Sequence, residues 1–348
     1  MEKQIECLGT KVIFADGFSS LSGEIEKLDS PVLWVCDSNT ARMVRPLPEP
    51  NVILQPGTAS KHWPSVERIL SVAVENSFPK NGTFLALGGG VITDVTGFAA
   101  SIYHRGCKLA FIPTTLVAMS DACLGGSQNI DFLDKHDVVG GFYPAHTVIV
   151  CTEILQSLSE HDFMNGLGEI IKFAFLSDSE DLLRVLIVDK KNVFRHDRQT
   201  LQNIIEQSLS IKKKFLEKDI DAATGKCKAM SLGHPLAYAL ENLRRNQFSH
   251  GQAEVWGLCR SMEIATETNV CDKYFADTVT KLCRSFGYDT DYKIYRGEWN
   301  TFKNLIRPNG LQNDGDFSLV LLESQGKYTV RNIPEEVLRN AVLQAATV

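Results

Sequence analysis

Residues 83–106 read TFLALGGGVITDVTGFAASIYHRG. The stretch opens on an apolar run of strand length, turns through three glycines, and continues with apolar residues at helical spacing. A glycine turn between a strand and a helix lets backbone approach a ligand closely. The helix N-terminus then offers free amide donors and a favourable dipole to a pyrophosphate. The spacing is not GxGxxG, so an ordinary Rossmann fingerprint is absent. A tight strand-to-helix turn with no ligand is the plainer alternative. Two neighbouring signals favour the ligand. SPVLWVCDSN (30–39) reads as a buried strand ending in Asp37, a carboxylate suited to ribose hydroxyls. KLAFIPTTL (108–116) reads as a strand followed by Thr114 and Thr115, small hydroxyls at a strand end. Three such ends predict the carboxyl edge of a sheet, where ligands bind.

Working outward, SVERILSVAVENS (65–77) has helical spacing, and TVIVCTEIL (147–155) reads as a further strand. Strand–helix–strand alternation predicts a parallel sheet with helices on both faces. Beyond residue 155 the pattern changes. DFMNGLGEIIKFAFLSD (162–178), LQNIIEQSLSIKKKFLEKD (201–219) and HPLAYALENLRRN (234–246) read as helices, the first with Ser159 as its N-cap. Only FSLVLLESQGKYTV (317–330) looks like a strand pair there. The expectation is an α/β protein of two domains. Residues 1–155 form a parallel-sheet nucleotide-binding domain and residues 156–348 a mainly helical metal and substrate domain, with the site in the cleft between them.

The 348 residues are 44% hydrophobic and 22% charged, with a formal net charge of −6. A mildly acidic chain with no basic run is a poor partner for nucleic acid. No signal-peptide core and no membrane-length apolar window is visible. Nine scattered cysteines without a CxxC pair signal neither a zinc ribbon nor a disulfide scaffold. Reduced thiols, a cytoplasmic location and no membrane partner are expected.

Glu169 in GLGEIIKF, His234 in SLGHPLAY and His250 in FSHGQAE form a candidate metal set. Two imidazoles and a carboxylate suit zinc, cobalt or iron, with positions left open for substrate oxygens. Their wide separation puts them on different helices, so spacing alone leaves open that each is an ordinary polar residue.

Taken together these motifs resemble the 3-dehydroquinate synthase family, within the sugar phosphate cyclases. The resemblance is dense over residues 85–175, through ALGGGVITDVTGFAASIYHRG, FIPTTLVAMSDACLGG, GGFYP and GLGEIIKF. It implies NAD contacts at Asp37, Asn39, Lys61, Gly89, Gly90, Val91, Asp94, Thr114, Thr115, Ile154, Leu155 and Ser157. It implies one divalent metal, zinc or cobalt with iron as an alternative, on Glu169, His234 and His250. Arg105, Asp121, Lys172 and Lys212 match the family's substrate-site positions. A homodimer is implied, in which Arg105 can reach a neighbour's site. In the family, bound NAD transiently oxidises a substrate hydroxyl, the resulting ketone acidifies the neighbouring C–H, phosphate leaves, hydride returns, and the product closes as a carbocycle. The metal polarises the oxygen that becomes the ketone.

The chain departs from the family where the family binds anions. GGKT becomes Gly125-Gly126-Ser127-Gln128, and a Lys-Asn pair becomes His136-Asp137. GHTxGHAIE becomes GHPLAYALE (233–241), so a second histidine is Tyr238, and an upstream Asn is Ser231. Lys226 or Lys228 stands near a family Arg, and a C-terminal Asp-Lys-Lys is missing from IRPNGLQNDGD (306–316). Each charge-assisted contact is worth about 1.5–3 kcal/mol. Losing several, and placing Asp137 where it would repel a phosphate, points to a polyol that is less anionic or differently anionic. Four readings follow: a diverged NAD- and metal-dependent lyase/cyclase, 3-dehydroquinate synthase itself, a net NAD alcohol or polyol dehydrogenase, and a non-catalytic NAD-binding pseudoenzyme.

Overall fold

A computed structural model describes residues 4–133, 135–219, 227–244, 247–306, 312–313 and 316–344. Its strands are β1 (Gln4–Cys7), β2 (Thr10–Phe14), β3 (Val32–Asp37), β4 (Asn51–Leu54), β5 (Thr83–Gly88), β6 (Lys108–Pro113), β7 (Ser127–Phe132), β8 (Lys135–Phe142), β9 (Thr147–Val150), β10 (Gln312–Asn313), β11 (Asp316–Ser324) and β12 (Lys327–Ile333). Its helices are α1 (Phe18–Ile25), α2 (Trp63–Glu75), α3 (Gly90–Ile102), α4 (Glu160–Leu176), α5 (Asp181–Val188), α6 (Lys190–Phe194), α7 (Arg198–Asp219), α8 (His234–Leu243), α9 (His250–Glu267), α10 (Lys273–Ser285), α11 (Trp299–Ile306) and α12 (Glu335–Val342).

The chain packs as two compact units. One comprises residues 1–163 and 196–217, the other 164–195 and 218–348. A single cut at 155/156 does not describe this division, because α7 returns to the first unit. It is tied there by Arg198 to Glu153 at 3.2 Å and by Lys212 to Asp121 at 2.7 Å.

In the first unit a seven-stranded sheet has the order β1-β2-β9-β6-β5-β3-β4. Only β1 and β2 pair antiparallel; the other neighbours are parallel. VLWVCD, TFLALG and KLAFIP are nearly continuous apolar runs because central parallel strands are covered on both faces. The chain leaves β3 towards β4 and leaves β5 in the opposite direction towards β6. The crevice at the carboxyl ends of β3 and β5 is thus a topological switch point. Residues 121–144 hold more than a glycine turn. After Gly125 and Gly126, with φ of 105° and 78°, β7 and β8 form a separate antiparallel ribbon.

The second unit is helical, with the small antiparallel sheet β10-β11-β12. Ser159 caps α4 by accepting the Asp162 N–H at 3.1 Å. A capping box of Ser249 and Gln252 starts α9 at His250. Trp256, Phe173, Phe175, Phe302 and Phe317 are fully buried and form the core of this unit.

Candidate active site

The first unit places its nucleotide signals side by side. Asp37 ends β3, Gly88 ends β5, and Thr114 and Thr115 follow β6, with β5 between the other two. A Cβ on Gly88 would lie 2.5 Å from Ile92 Cβ and one on Gly89 2.8 Å from Thr115 Cγ2, so packing alone requires both glycines. At Gly90 a Cβ meets nothing within 4 Å. Space therefore lies open at the start of α3, whose first turn carries no acidic side chain. That is a fit for a dinucleotide phosphate at a helix N-terminus. Val91 and Asp94 lie in the next residues of α3. Asp37 Oδ1 is engaged locally, accepting the N–H of Asn39 at 2.8 Å and of Thr40 at 2.9 Å. Ile154 and Leu155 are buried in the short helix Thr152–Ser157, where the Ser157 hydroxyl donates to the Ile154 carbonyl at 2.9 Å.

Lys61 Nζ sits 2.8 Å from Asp94 Oδ2 and 2.5 Å from Asp137 Oδ1. Desolvation pulls the Lys61 pKa down, but the two carboxylates outweigh it and hold it raised. Burial pushes Asp94 up to about 6 even against Lys61. Asp137 is thus not an isolated repulsive charge but part of an ion pair. His136 Nδ1 is 2.7 Å from Asp131 Oδ2, while Ser127 is exposed, its hydroxyl accepting from Asn129 Nδ2 at 2.8 Å. Among the substrate-site candidates of this unit, Lys212 pairs with Asp121 at 2.7 Å and also donates to its backbone carbonyl at 2.8 Å. Arg105 is exposed, with the left-handed φ of 64°.

The second unit brings the metal candidates together through two glycine contacts. A Cβ on Gly168 would lie 2.6 Å from the Gly251 carbonyl oxygen, and one on Gly251 2.1 Å from that of Asn165. Backbones of α4 and α9 therefore touch, and Glu169 Oε1 stands 3.4 Å from His250 Nε2. A Cβ on Gly257 would lie 2.3 Å from the Gly233 carbonyl oxygen, which holds the start of α8 against α9. His234 is the first residue of α8, and its Nδ1 is 2.6 Å from Glu254 Oε1. The two imidazoles are 6.2 Å apart, centroid to centroid. Lys172, one turn after Glu169, contacts Glu169 Oε2 at 2.7 Å and Glu254 Oε2 at 3.2 Å.

Glu169, His250 and Glu254 each offer a ligand atom, and these atoms lie within 4.8 Å of one another. His234 stands beside that group as the hydrogen-bond partner of Glu254. Buried Glu169 Oε2 faces the Lys172 ammonium at 2.7 Å. His250 Nδ1 lies 3.2 Å from Glu241 Oε1. Buried carboxylates beside two imidazoles whose Nδ1 atoms are already engaged fit a divalent ion of zinc, cobalt or iron type. Burial opposes charge on Glu169, Glu254, His234 and His250. Lys172 nevertheless holds Glu169 below its ordinary value, and Lys172 with His234 does the same for Glu254. Carboxylate neighbours raise both imidazoles against their desolvation.

Glu254 and Glu241 were not among the expected site residues. The available signal was HGQAE, which puts Glu254 one helical turn after His250. Lys228 is exposed and Ser231 closes a short helical turn. Lys226 and residues 307–311 and 314–315 lie outside the described residues.

The N-terminal domain profile of 3-dehydroquinate synthase matches residues 51–165, and the C-terminal domain profile matches residues 166–308. The chain belongs to the 3-dehydroquinate synthase family. A 3-dehydroquinate synthase of Clostridium tetani is 30% identical over 83% of this chain and 75% of its own length. Two solved structures share the family fold. The 2-epi-5-epi-valiolone synthase ValA of Streptomyces hygroscopicus, with NAD+ and Zn2+ bound, superposes with a TM-score of 0.86 at 18% identity, covering 98% of both chains. A 2-deoxy-scyllo-inosose synthase, complexed with carbaglucose-6-phosphate, NAD+ and Co2+, gives 0.79 at 20% identity, covering 98% of this chain and all of its own.

Proposed function

We propose that this chain is an NAD- and divalent-metal-dependent carbon–oxygen lyase and cyclase of 3-dehydroquinate-synthase type, acting on a polyhydroxylated, sugar-derived substrate less anionic than the family's heptulosonate phosphate. The observation that carries the altered specificity is the internal pairing of its lysines. Lys61 is held by Asp94 and Asp137, Lys172 by Glu169 and Glu254, and Lys212 by Asp121. A phosphate or carboxylate would have to compete with those partners for each ammonium.

NAD supplies reversible hydride transfer, and the divalent ion supplies Lewis acidity at a substrate oxygen. The chain's own residues orient and exclude. The open space at Gly90 and the first turn of α3 receive the dinucleotide. Glu169, His234 and His250 hold the ion, and the partly exposed imidazole edges face the substrate. Asp121, Lys212, Lys172 and Arg105 would bind and orient the polyol. A homodimer and a cytoplasmic location go with this reading. Among the described residues, no helix is long and apolar enough to cross a membrane.

Dehydroquinate synthase itself is the second reading, favoured by the 30% identity to the clostridial enzyme. The deciding measurement is kcat/KM for the heptulosonate phosphate after reconstitution with NAD+ and Zn2+ or Co2+. Two missing charge-assisted contacts of about 2 kcal/mol each predict turnover about a thousandfold below that of a relative that keeps its lysines. The Ser127→Lys/Asp137→Asn variant should recover part of the loss, less so at high salt. Efficient wild-type turnover establishes the second reading. Steady accumulation of NADH instead of its recycling would point to a net dehydrogenase.

A further inference from the structure

Glu254 is a carboxylate with no exposed side-chain surface. Such a group is tolerated only with partners, and its two oxygens are divided between two of them. Oε1 takes the His234 Nδ1 at 2.6 Å and Oε2 faces the Lys172 ammonium at 3.2 Å. We propose that Glu254 is a positioning residue of the metal centre, holding His234 through Nδ1 so that Nε2 is the nitrogen presented to the ion. This rests on the metal reading above.

Three features support it. An imidazole has two ring nitrogens, and a carboxylate accepting from one fixes the tautomer that leaves the other's lone pair free for a metal. His250 shows the same arrangement, with Nδ1 beside Glu241 and Nε2 towards Glu169. The Gly233–Gly257 contact leaves little slack between the start of α8, which carries His234, and α9, which carries Glu254. Direct ligation by Glu254 would bring the ion to a carboxylate oxygen that already serves His234 or Lys172. The proposal predicts instead that both contacts persist when the ion binds.

The test is a double-mutant cycle read by metal binding. Metal-free protein is titrated with Co2+, following the visible absorption bands of the bound ion, and Zn2+ affinity is obtained by competition. Wild type, Glu254→Gln, His234→Ala and the double variant are compared. Glu254→Gln keeps the shape but loses the charge. It should weaken Co2+ binding about 10- to 100-fold and shift the bands while the stoichiometry stays at one ion per chain. In the His234→Ala background the same change should alter affinity less than about twofold, because the ring it orients is gone. Equal affinity of wild type and Glu254→Gln overturns the proposal. So does an undiminished effect in the His234→Ala background, which would mean that Glu254 acts on the ion directly or through Lys172. If Glu254→Gln does not fold, Glu254→Asp takes its place. It keeps the charge and shortens the reach, so the same loss and the same dependence on His234 are expected. A wild type that binds no Co2+ would instead remove the metal reading itself.

Discussion

Each unit of this protein holds a lysine between two carboxylates, and the two clusters behave in opposite ways. In the sheet unit Lys61 lies between Asp94 and Asp137, and the Asp137 side chain is 48% exposed. In the helical unit Lys172 lies between Glu169 and Glu254, with side-chain exposures of 4% and 0% for the two carboxylates. Burial pushes Asp94 up to about 6, with Lys61 opposing it and Asp137 and Asp131 adding to it. Burial is greater around Glu254, yet its pKa is lowered, because Lys172, His234 and His250 all face it. The sign follows from how many cations serve each carboxylate, not from depth. The helical cluster combines buried carboxylates with imidazoles, the donor set proposed above for a divalent ion.

The comparison breaks most visibly at His250. Its side chain is 39% exposed, so His250→Ala should leave the fold intact while removing a ligand. Metal content by elemental analysis should fall from one equivalent to less than about a tenth, given the loss of one of the three proposed ligands. A full equivalent retained by this variant would refute the helical cluster as the metal site. Next in size is Lys172→Met, which takes the shared ammonium from two buried carboxylates. Metal-free protein should lose about 3–5 kcal/mol in urea unfolding, and added Zn2+ should restore part of it. An unchanged midpoint would show that Lys172 contributes little to the pairing.

On the sheet side, Gly90→Val places its Cβ where no residue packed against the helix stands within 4 Å. Calorimetric NAD+ affinity should fall by about 2–3 kcal/mol or more, with stability changed by less than about 1 kcal/mol. Undiminished binding would move the cofactor elsewhere. A wild type that binds no NAD+ would remove the nucleotide reading altogether.

The pH dependence separates the clusters further. Asp94 has a folded pKa raised from 3.8 to about 6, so its contribution to stability is present below pH 3.8 and lost as pH rises through about 6. Relative to Asp94→Asn, the wild type should therefore lose stability over that window, by roughly 1–2 kcal/mol for a group with some solvent contact. Glu169 and Glu254 have lowered values, so their contribution runs the other way and is lost on acidification. A flat difference between wild type and Asp94→Asn would mean that Lys61 fully offsets the burial. Smallest of all, Asp137→Asn frees one half-exposed partner of Lys61 and should change stability by less than about 1 kcal/mol.

Much of this protein could be read from local pattern. Continuous apolar runs marked β3, β5 and β6, the glycine turn marked the start of α3, and Ser159 marked the cap that opens α4. Those features follow from periodicity and from the dihedral needs of single residues, which neighbours in sequence determine. The positions of Glu169, His234 and His250 were legible through family motifs, but their mutual distances were not. Lys172 meets Glu254 across 82 residues of chain, and His234 meets it across 20. Those encounters depend on two pairs of glycines, Gly168 with Gly251 and Gly233 with Gly257, each of which looks unremarkable in its own stretch of sequence. Only where backbones approach closely enough to exclude a Cβ does it become decided which charges share a partner. Asp137 likewise, in sequence a bare negative charge beside an expected anion site, is in the folded chain the second partner of Lys61.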